Sequence, residues 1–270
     1  MQGPAPSSPA KHFIGVGSGK GGVGKSTVTI NLALALSQMG HKVGVIDADV
    51  YGPNIPLMVN ITRRKPARFL TLAWKGEDQR WDPVEKHGIK IMSVGFLTGE
   101  EQAIWEPNLV NAISSQLVER VRWGELDYLI ADLPPGSADI NRTFATSMPM
   151  TDAILVVTPQ DVAHLDAKKA LEMYRMAGVR VLGAVENMSG LVCPHCAESI
   201  DVFHRVADDR SLWSLGVRKL GVIPLDPQLS VATDGGRPVM VSGNGSSHAD
   251  AFRQIATTVA GSLGTAPRPI

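Results

Sequence analysis

Two cysteines in 270 residues are too few for a disulfide framework, and they stand three apart as Cys193-Pro194-His195-Cys196. That excludes a cross-linked secreted scaffold and leaves a thiol pair whose spacing calls for a chemical explanation. An excess of charge of either sign is also missing: 26 Lys plus Arg match 26 Asp plus Glu, so no global basic field attracts nucleic acid or anionic membrane. No run approaches the eighteen or so uncharged apolar residues that a membrane span needs. The opening Met1-Gln2-Gly3-Pro4 lacks the basic-then-apolar order of a signal peptide. These absences predict a soluble, cytoplasmic chain with no nucleic-acid and no membrane partner. What remains, 44% hydrophobic and 19% charged residues, suits one large core or two modest ones.

Short β-rich apolar runs alternate with longer helical patterns along the chain. Candidate strands lie at residues 13–16, 43–46, 89–92, 128–131, 153–157, 179–185 and 220–223, and candidate helices at 26–39, 109–121, 163–176 and 248–263. Several strands are apolar on both faces, which is the pattern of a parallel sheet covered by helices. The expected fold is α/β, doubly wound and mostly parallel. The domain occupies 12–263, with a disordered tail at 1–11, a second tail at 264–270 and a loop-rich insertion over about 60–87.

The first candidate strand runs into Gly17-Ser18-Gly19-Lys20-Gly21-Gly22-Val23-Gly24-Lys25-Ser26-Thr27. Gly17, Gly19 and Gly22 satisfy a dinucleotide pattern, while Gly19, Gly24, Lys25 and Ser26 satisfy the G-x-x-x-x-G-K-[ST] phosphate loop. The Lys-Ser pair decides for a nucleoside triphosphate. An ammonium reaching the β and γ phosphates and a hydroxyl for Mg²⁺ serve a triphosphate and are useless to a dinucleotide. The glycines let backbone N–H groups converge on the phosphates, and the following helix adds its positive end. Lys20, a second lysine near the start of the loop, is placed to reach a neighbouring subunit's phosphates as an arginine finger does.

Carboxylates end two further strands: Asp47 and Asp49 in Asp47-Ala48-Asp49-Val50-Tyr51-Gly52-Pro53-Asn54, and Asp132 in Asp132-Leu133-Pro134-Pro135-Gly136. Open α/β sheets bind ligands at the carboxyl ends of their strands, and phosphoryl transfer needs groups that hold a metal and orient water. The Cys193-x-x-Cys196 pair admits three readings from chemistry alone. It suits a thioredoxin-like dithiol, although it lies far from the context such motifs occupy. It suits zinc, although the ligand count falls short of four. It also suits an iron-sulfur cluster held by two thiolates from each of two chains.

The Gly-Lys-Gly-Gly-Val-Gly-Lys-Ser form resembles the deviant Walker A loop of the MinD/ParA/nitrogenase-iron-protein class. The order of Gly19–Thr27, the Asp-Val-Tyr-Gly-Pro run, Asp132-Leu133-Pro134-Pro135-Gly136, Thr158-Pro159-Gln160, Glu186-Asn187-Met188-Ser189 and the C-x-x-C pair resembles the Mrp/ApbC family of iron-sulfur cluster carrier ATPases. The resemblance implies a homodimer that binds ATP and Mg²⁺, holds a [4Fe-4S] cluster on Cys193 and Cys196 across its interface, and passes it to apo iron-sulfur client proteins. It implies catalytic roles for Lys20, across the dimer, for Lys25, and for Asp49, which orients the attacking water. It places Ser26, Asp47 and Asp132 around Mg²⁺. Nucleotide contacts fall on Gly19, Lys20, Gly21, Gly22, Val23, Gly24, Lys25, Ser26 and Thr27, with Asn187, Pro224 and Asp226 holding the adenine. A positioning or partition switch, and a zinc-stabilised switch without cluster transfer, are the alternatives. This chain departs from the family pattern at Trp105-Glu106-Pro107-Asn108, at Ser137-Ala138-Asp139 and at Phe203-His204-Arg205-Val206-Ala207.

Overall fold

The computed structural model describes residues 8–61, 80–98, 107–135, 138–193, 195–196, 198–243 and 245–264. Each strand of its central sheet alternates side chains between two apolar layers, as the period of two requires. In β1 (Ala10–Gly17) Phe13 faces one layer and Ile14 and Val16 the other. Ile46 and Val45 divide likewise in β2 (Val43–Asp47), Leu129 and Ile130 in β5 (Leu126–Asp132), and Leu155 and Val156 in β6 (Asp152–Val157).

The sheet has nine strands. Eight run in the order β3-β4-β2-β5-β1-β6-β7-β8, and β9 pairs with β7. Here β3 is Val84–Lys86, β4 Ile89–Ser93, β7 Arg180–Val192, β8 Ser199–Ile200 and β9 Lys219–Leu225. All pairings are parallel except β3 with β4 and β7 with β8.

One face of the sheet carries α1 (Lys25–Gln38) and α9 (Ser247–Ser262). Their Val28, Leu32, Phe252, Ile255 and Val259 complete one layer. The other face carries α4 (Pro107–Glu119), α5 (Ala138–Ser147) and α6 (Asp161–Met176), which contribute Leu117, Phe144, Leu171 and Tyr174. Short helices α2 (Ile55–Met58), α3 (Gly95–Thr98), α7 (Pro227–Asp234) and α8 (Val239–Ser242), with single 3₁₀ turns at Asp208–Arg210 and Trp213–Leu215, complete the described elements. Every residue of α1 from Val28 to Leu36 is buried, because the helix is covered on both sides, by the sheet and by α9. Among the described residues no helix is long and apolar enough to cross a membrane.

All seven sequence-expected strands form, and two short antiparallel strands add to them. β1 starts at Ala10, inside the segment read as a tail, and Lys11 Nζ anchors it 2.9 Å from Asp127 Oδ1. Residues 62–79 of the expected insertion lie outside the described residues, as do 1–7 and 265–270 of the expected tails. The insertion's last part is not simply loop. Trp81 is buried in the core and bridges to Val121, and β3 turns through His87 (φ 51) and Gly88 (φ 78) into β4. Two consecutive positive-φ residues are the mark of a type I′ hairpin, which periodicity alone does not reveal.

Candidate nucleotide and thiol sites

β1 lies between β5 and β6, where the strand order reverses, and the glycine-rich loop leaves its carboxyl end at that switch point. Gly24 (φ 86) precedes α1 in a left-handed conformation that favours glycine, and no side chain caps the first turn of the helix. The backbone N–H groups there are left for an anion. The start of the loop packs directly on α6. A Cβ on Gly19 would come 2.2 Å from the Asp166 carbonyl carbon, and one on Gly17 would come 2.2 Å from Tyr174 Oη. The loop residues Lys20 to Thr27 line a cleft of about 380 Å³ together with Ser18, Asp49, Tyr51 and Asn54.

Strand register brings the acidic residues together. Asp132 of β5 pairs in register with Val16 of β1 and Asp47 of β2, and Asp47 in turn with Ser93 of β4. β2 ends at Asp47, yet Asp49 still turns toward the same centre. Lys25 Nζ donates to Asp132 Oδ1 at 3.0 Å and lies 3.6 Å from Asp49 Oδ2. Thr29 Oγ1, one helical turn beyond Lys25, also donates to Asp132 Oδ1, at 3.1 Å. Asp47 accepts from Ser93 Oγ (2.9 Å) and from the N–H groups of Asp49 and Ile55 (both 3.3 Å).

Three carboxylates around one ammonium are electrostatically short of positive charge. Burial, aided by the Asp132 charge, pushes the Asp47 carboxyl up to about 8. Burial also raises Asp49, against the pull of Lys25. Burial disfavours the Lys25 ammonium, but Asp132 and Asp49 outweigh it and hold the amine charged above its usual range. Asp132 Oδ2 is buried without a hydrogen-bond partner. An orphaned carboxylate oxygen in a charge-deficient acidic centre fits Mg²⁺, a hard cation that takes oxygen ligands.

The remaining expected residues are placed differently. Lys20 Nζ donates to Gln160 Oε1 of its own chain at 2.7 Å, and Thr158 Oγ1 supports the same oxygen at 3.3 Å. Asn187 Nδ2 donates to the Val23 carbonyl at 2.8 Å, which ties β7 to the loop. Asp226 caps α7 by accepting from Gln228 N at 2.8 Å, and Pro224 lies in β9; neither they nor Asn187 line the cleft. Of the family departures, residues 105 and 106 and residue 137 lie outside the described residues.

Sequence reading did not assign roles to Thr29, Ser93 and Gln160. Thr29 was findable, because i and i+4 share a helix face with Lys25. Ser93 required knowing that β4 sits beside β2.

The thiols lie at a second, more open place. β7 continues past the nucleotide loop and folds back as β8, with Leu191 opposite Ile200 and Val192 opposite Ser199. Cys193 N–H donates to the Glu198 carbonyl at 2.8 Å, so the pair occupies the tip of this hairpin. Both cysteines are free, and Cys196 is exposed, its Sγ 3.8 Å from Glu198 Oε2. The backbone N–H groups of Cys196 and His195 hold the Cys193 thiol below its usual range, favouring the thiolate that binds metal. Among the described residues no further His, Cys, Asp or Glu joins the two cysteines in a group that could hold a metal ion, so a closed zinc site of four ligands is not assembled there within one chain.

A glycine-rich loop opening a helix at the switch point of a parallel sheet, with aspartates on the neighbouring strand ends, defines a P-loop nucleoside triphosphatase. The family described as ParA, NUBPL iron-transfer P-loop NTPase, matches residues 9–260, and the chain belongs to that family. An iron-sulfur cluster carrier protein of Aquifex aeolicus is 44% identical over 249 residues, 91% of this chain and 66% of that protein. One from Methanocaldococcus jannaschii is 45% identical over 87% of this chain and 79% of its own length. Among solved structures, a nucleotide-binding protein of Archaeoglobus fulgidus in complex with ADP superimposes with a TM-score of 0.71 at 35% identity, covering 85% of this chain and 88% of that one. The septum site-determining protein MinD of Pyrococcus horikoshii with Mg-ADP gives 0.68 at 26% identity, covering 92% and 95%.

Proposed function

We propose that this chain is an ATP-dependent iron-sulfur cluster carrier that works as a homodimer. The observation that carries the reading is the thiol pair at the tip of the β7–β8 hairpin, Cys196 exposed and Cys193 partly so, with no closed ligand set among the described residues of its own chain. Two thiolates from each of two chains supply the four ligands of a [4Fe-4S] cluster, which is cargo here. An open, exposed site suits delivery, because a client's thiolates can replace the carrier's one by one without any change in oxidation state.

At the other end, ATP lies on the loop with its phosphates on the backbone N–H groups of residues 19–27. Lys25 neutralises charge that develops between the β and γ phosphates. Asp49, held beside Lys25, orients the water that attacks the γ-phosphorus as ADP leaves. Ser26, Asp47 and Asp132 would hold Mg²⁺, which when bound shields phosphate charge. Lys20 reaches the partner's phosphates after giving up Gln160. The positioning and partition ATPases share this fold, but the thiol hairpin gives the carrier reading its support.

The test is transfer. Protein loaded with cluster is mixed with a purified apo-dehydratase that needs a [4Fe-4S] cluster, with a chelator present. Recovery of dehydratase activity is expected from the parent and not from a Cys193→Ala/Cys196→Ala variant. Equal recovery from both would reject the proposal.

A further inference from the structure

β7 physically joins the two sites, and its geometry between them is irregular. Its register with β9 shifts between Asn187 and Leu191, and Met188 has φ 57, a conformation a methionine rarely adopts. Gly190 follows at φ 81. The strand is therefore a hinge between the loop-gripping Asn187 and the hairpin that carries Cys193. On the loop side the grip is tight, since a Cβ on Gly24 would come 2.2 Å from Asn187 Nδ2.

One side chain spans the hinge. Glu186, next to Asn187, has its carboxylate 5% exposed and accepts from Ser189 Oγ (2.5 Å), Lys219 Nζ (3.0 Å) and Arg205 Nη1 (3.2 Å). Arg205 also donates to Ser189 Oγ through Nη2 (3.3 Å) and to Asp201 Oδ1 through Nε (3.0 Å). Ser189 leads into the hairpin and Asp201 directly follows β8, so the planar fork braces both legs of the hairpin onto the residue beside Asn187. Arg205 is half exposed, which keeps the contribution of the brace to global stability small. Removing the guanidinium leaves Glu186 still paired with Lys219 and Ser189, so the fold does not depend on it.

We propose that Arg205 is a positioning residue that couples the phosphate loop to the thiol pair across the Met188 hinge, so that nucleotide binding is felt at Cys193 and Cys196. The inference rests on the reading of the loop as an ATP site and of the thiols as cargo ligands. Its test does not require cargo. Cys193 and Cys196 are the only cysteines in the chain, so the rate of alkylation of the reduced, metal-free full chain by iodoacetamide reads the hairpin alone. A non-hydrolysable ATP analogue with Mg²⁺ is expected to change that rate about threefold or more in the parent, within the span of coupling energies between distant sites.

In Arg205→Ala the ratio with and without analogue falls to near one, while analogue affinity stays within about twofold of the parent. Arg205→Lys, which keeps the charge and loses the fork, restores part of the ratio. Asp201→Asn, which keeps every hydrogen bond to Glu186 and weakens only the contact from Arg205 Nε to the second leg of the hairpin, lowers the ratio independently of any folding defect in the alanine variant. A parental ratio retained in Arg205→Ala and Asp201→Asn, or a parent indifferent to nucleotide, would overturn the coupling. Loading the same preparations with iron and sulfide tests the cargo reading separately: coupled labelling in a protein that takes no cluster would remove the cargo and keep the brace.

Discussion

The two ends of β7 are built by opposite rules. At the nucleotide end, Lys25, Asp47, Asp49 and Asp132 are all buried, each is fixed by several partners, and a methyl group on Gly17, Gly19 or Gly24 would come 2.2 Å from a neighbouring atom. At the thiol end, the two cysteines sit at the tip of a two-strand hairpin, Cys196 exposed and Cys193 partly so, with one backbone bond closing the tip. A site that stabilises a transition state needs preorganised charge in a low-dielectric surrounding. A site that hands over its contents needs access, and rigid enclosure would oppose release. The contrast is what a carrier requires of one chain, and it predicts that the two ends fail separately.

The largest separation is expected from the thiols. Cys193→Ala/Cys196→Ala loses cluster binding completely and keeps nucleotide affinity within about threefold, as titration with a fluorescent nucleotide checks; the sites share no residue, and a modest coupling between them shifts affinity without abolishing it. Lys25→Ala does the reverse. Hydrolysis, followed by phosphate release, falls by about 10² to 10³, the cost of losing one preorganised charge, while iron loading is unchanged.

A smaller effect comes from packing at the loop. Gly19→Ala forces α6 away from the loop, because the new Cβ meets backbone atoms of Asp166 and Ala167. Thermal melting reads a loss of about 1–3 kcal/mol, typical of overpacking. Gly190→Ala on the hinge, where no atom lies within 3.4 Å of the new Cβ but φ is 81, costs less.

A further effect at the nucleotide end is a pH dependence. Asp47 holds its proton up to about 8 in the folded chain against 3.8 ordinarily. The folded state therefore binds more protons across that window, and this group's contribution to stability falls as pH rises from about 4 to 8. Without Mg²⁺, the melting temperature of Asp47→Asn relative to the parent should rise between pH 5 and pH 8. A flat difference would show that Asp47 ionises normally.

The nucleotide end was legible because its chemistry is contiguous. Gly19 to Thr27 carries the glycine-rich loop with Lys25 and Ser26 in one run, and Asp47 and Asp132 each close an apolar strand. Parallel strands buried on both faces announce themselves, and all seven were read with ends displaced by a few residues, most at β7, where polar Glu186-Asn187-Met188-Ser189 hid the strand's continuation to Val192.

Whatever depends on contacts distant in sequence was not legible. Gln160 meets Lys20 across 140 residues and Asn187 meets Val23 across 164. No local pattern announces either bond. The Arg205 brace belongs with these, since Glu186, Ser189 and Asp201 converge on it only once β7 has bent at Met188. The hairpins were missed for a different reason: β3 and β8 have three and two residues, too short for alternation to register.

The most direct measurement is anaerobic reconstitution with iron and sulfide, counting both per chain and reading the thiolate-to-iron absorbance, with Cys193→Ala/Cys196→Ala and Lys25→Ala alongside. The account predicts about four irons and four sulfides per pair of chains in the parent and in Lys25→Ala, and none in the cysteine variant. Equal iron in parent and cysteine variant, or a parent that takes up none, would contradict it.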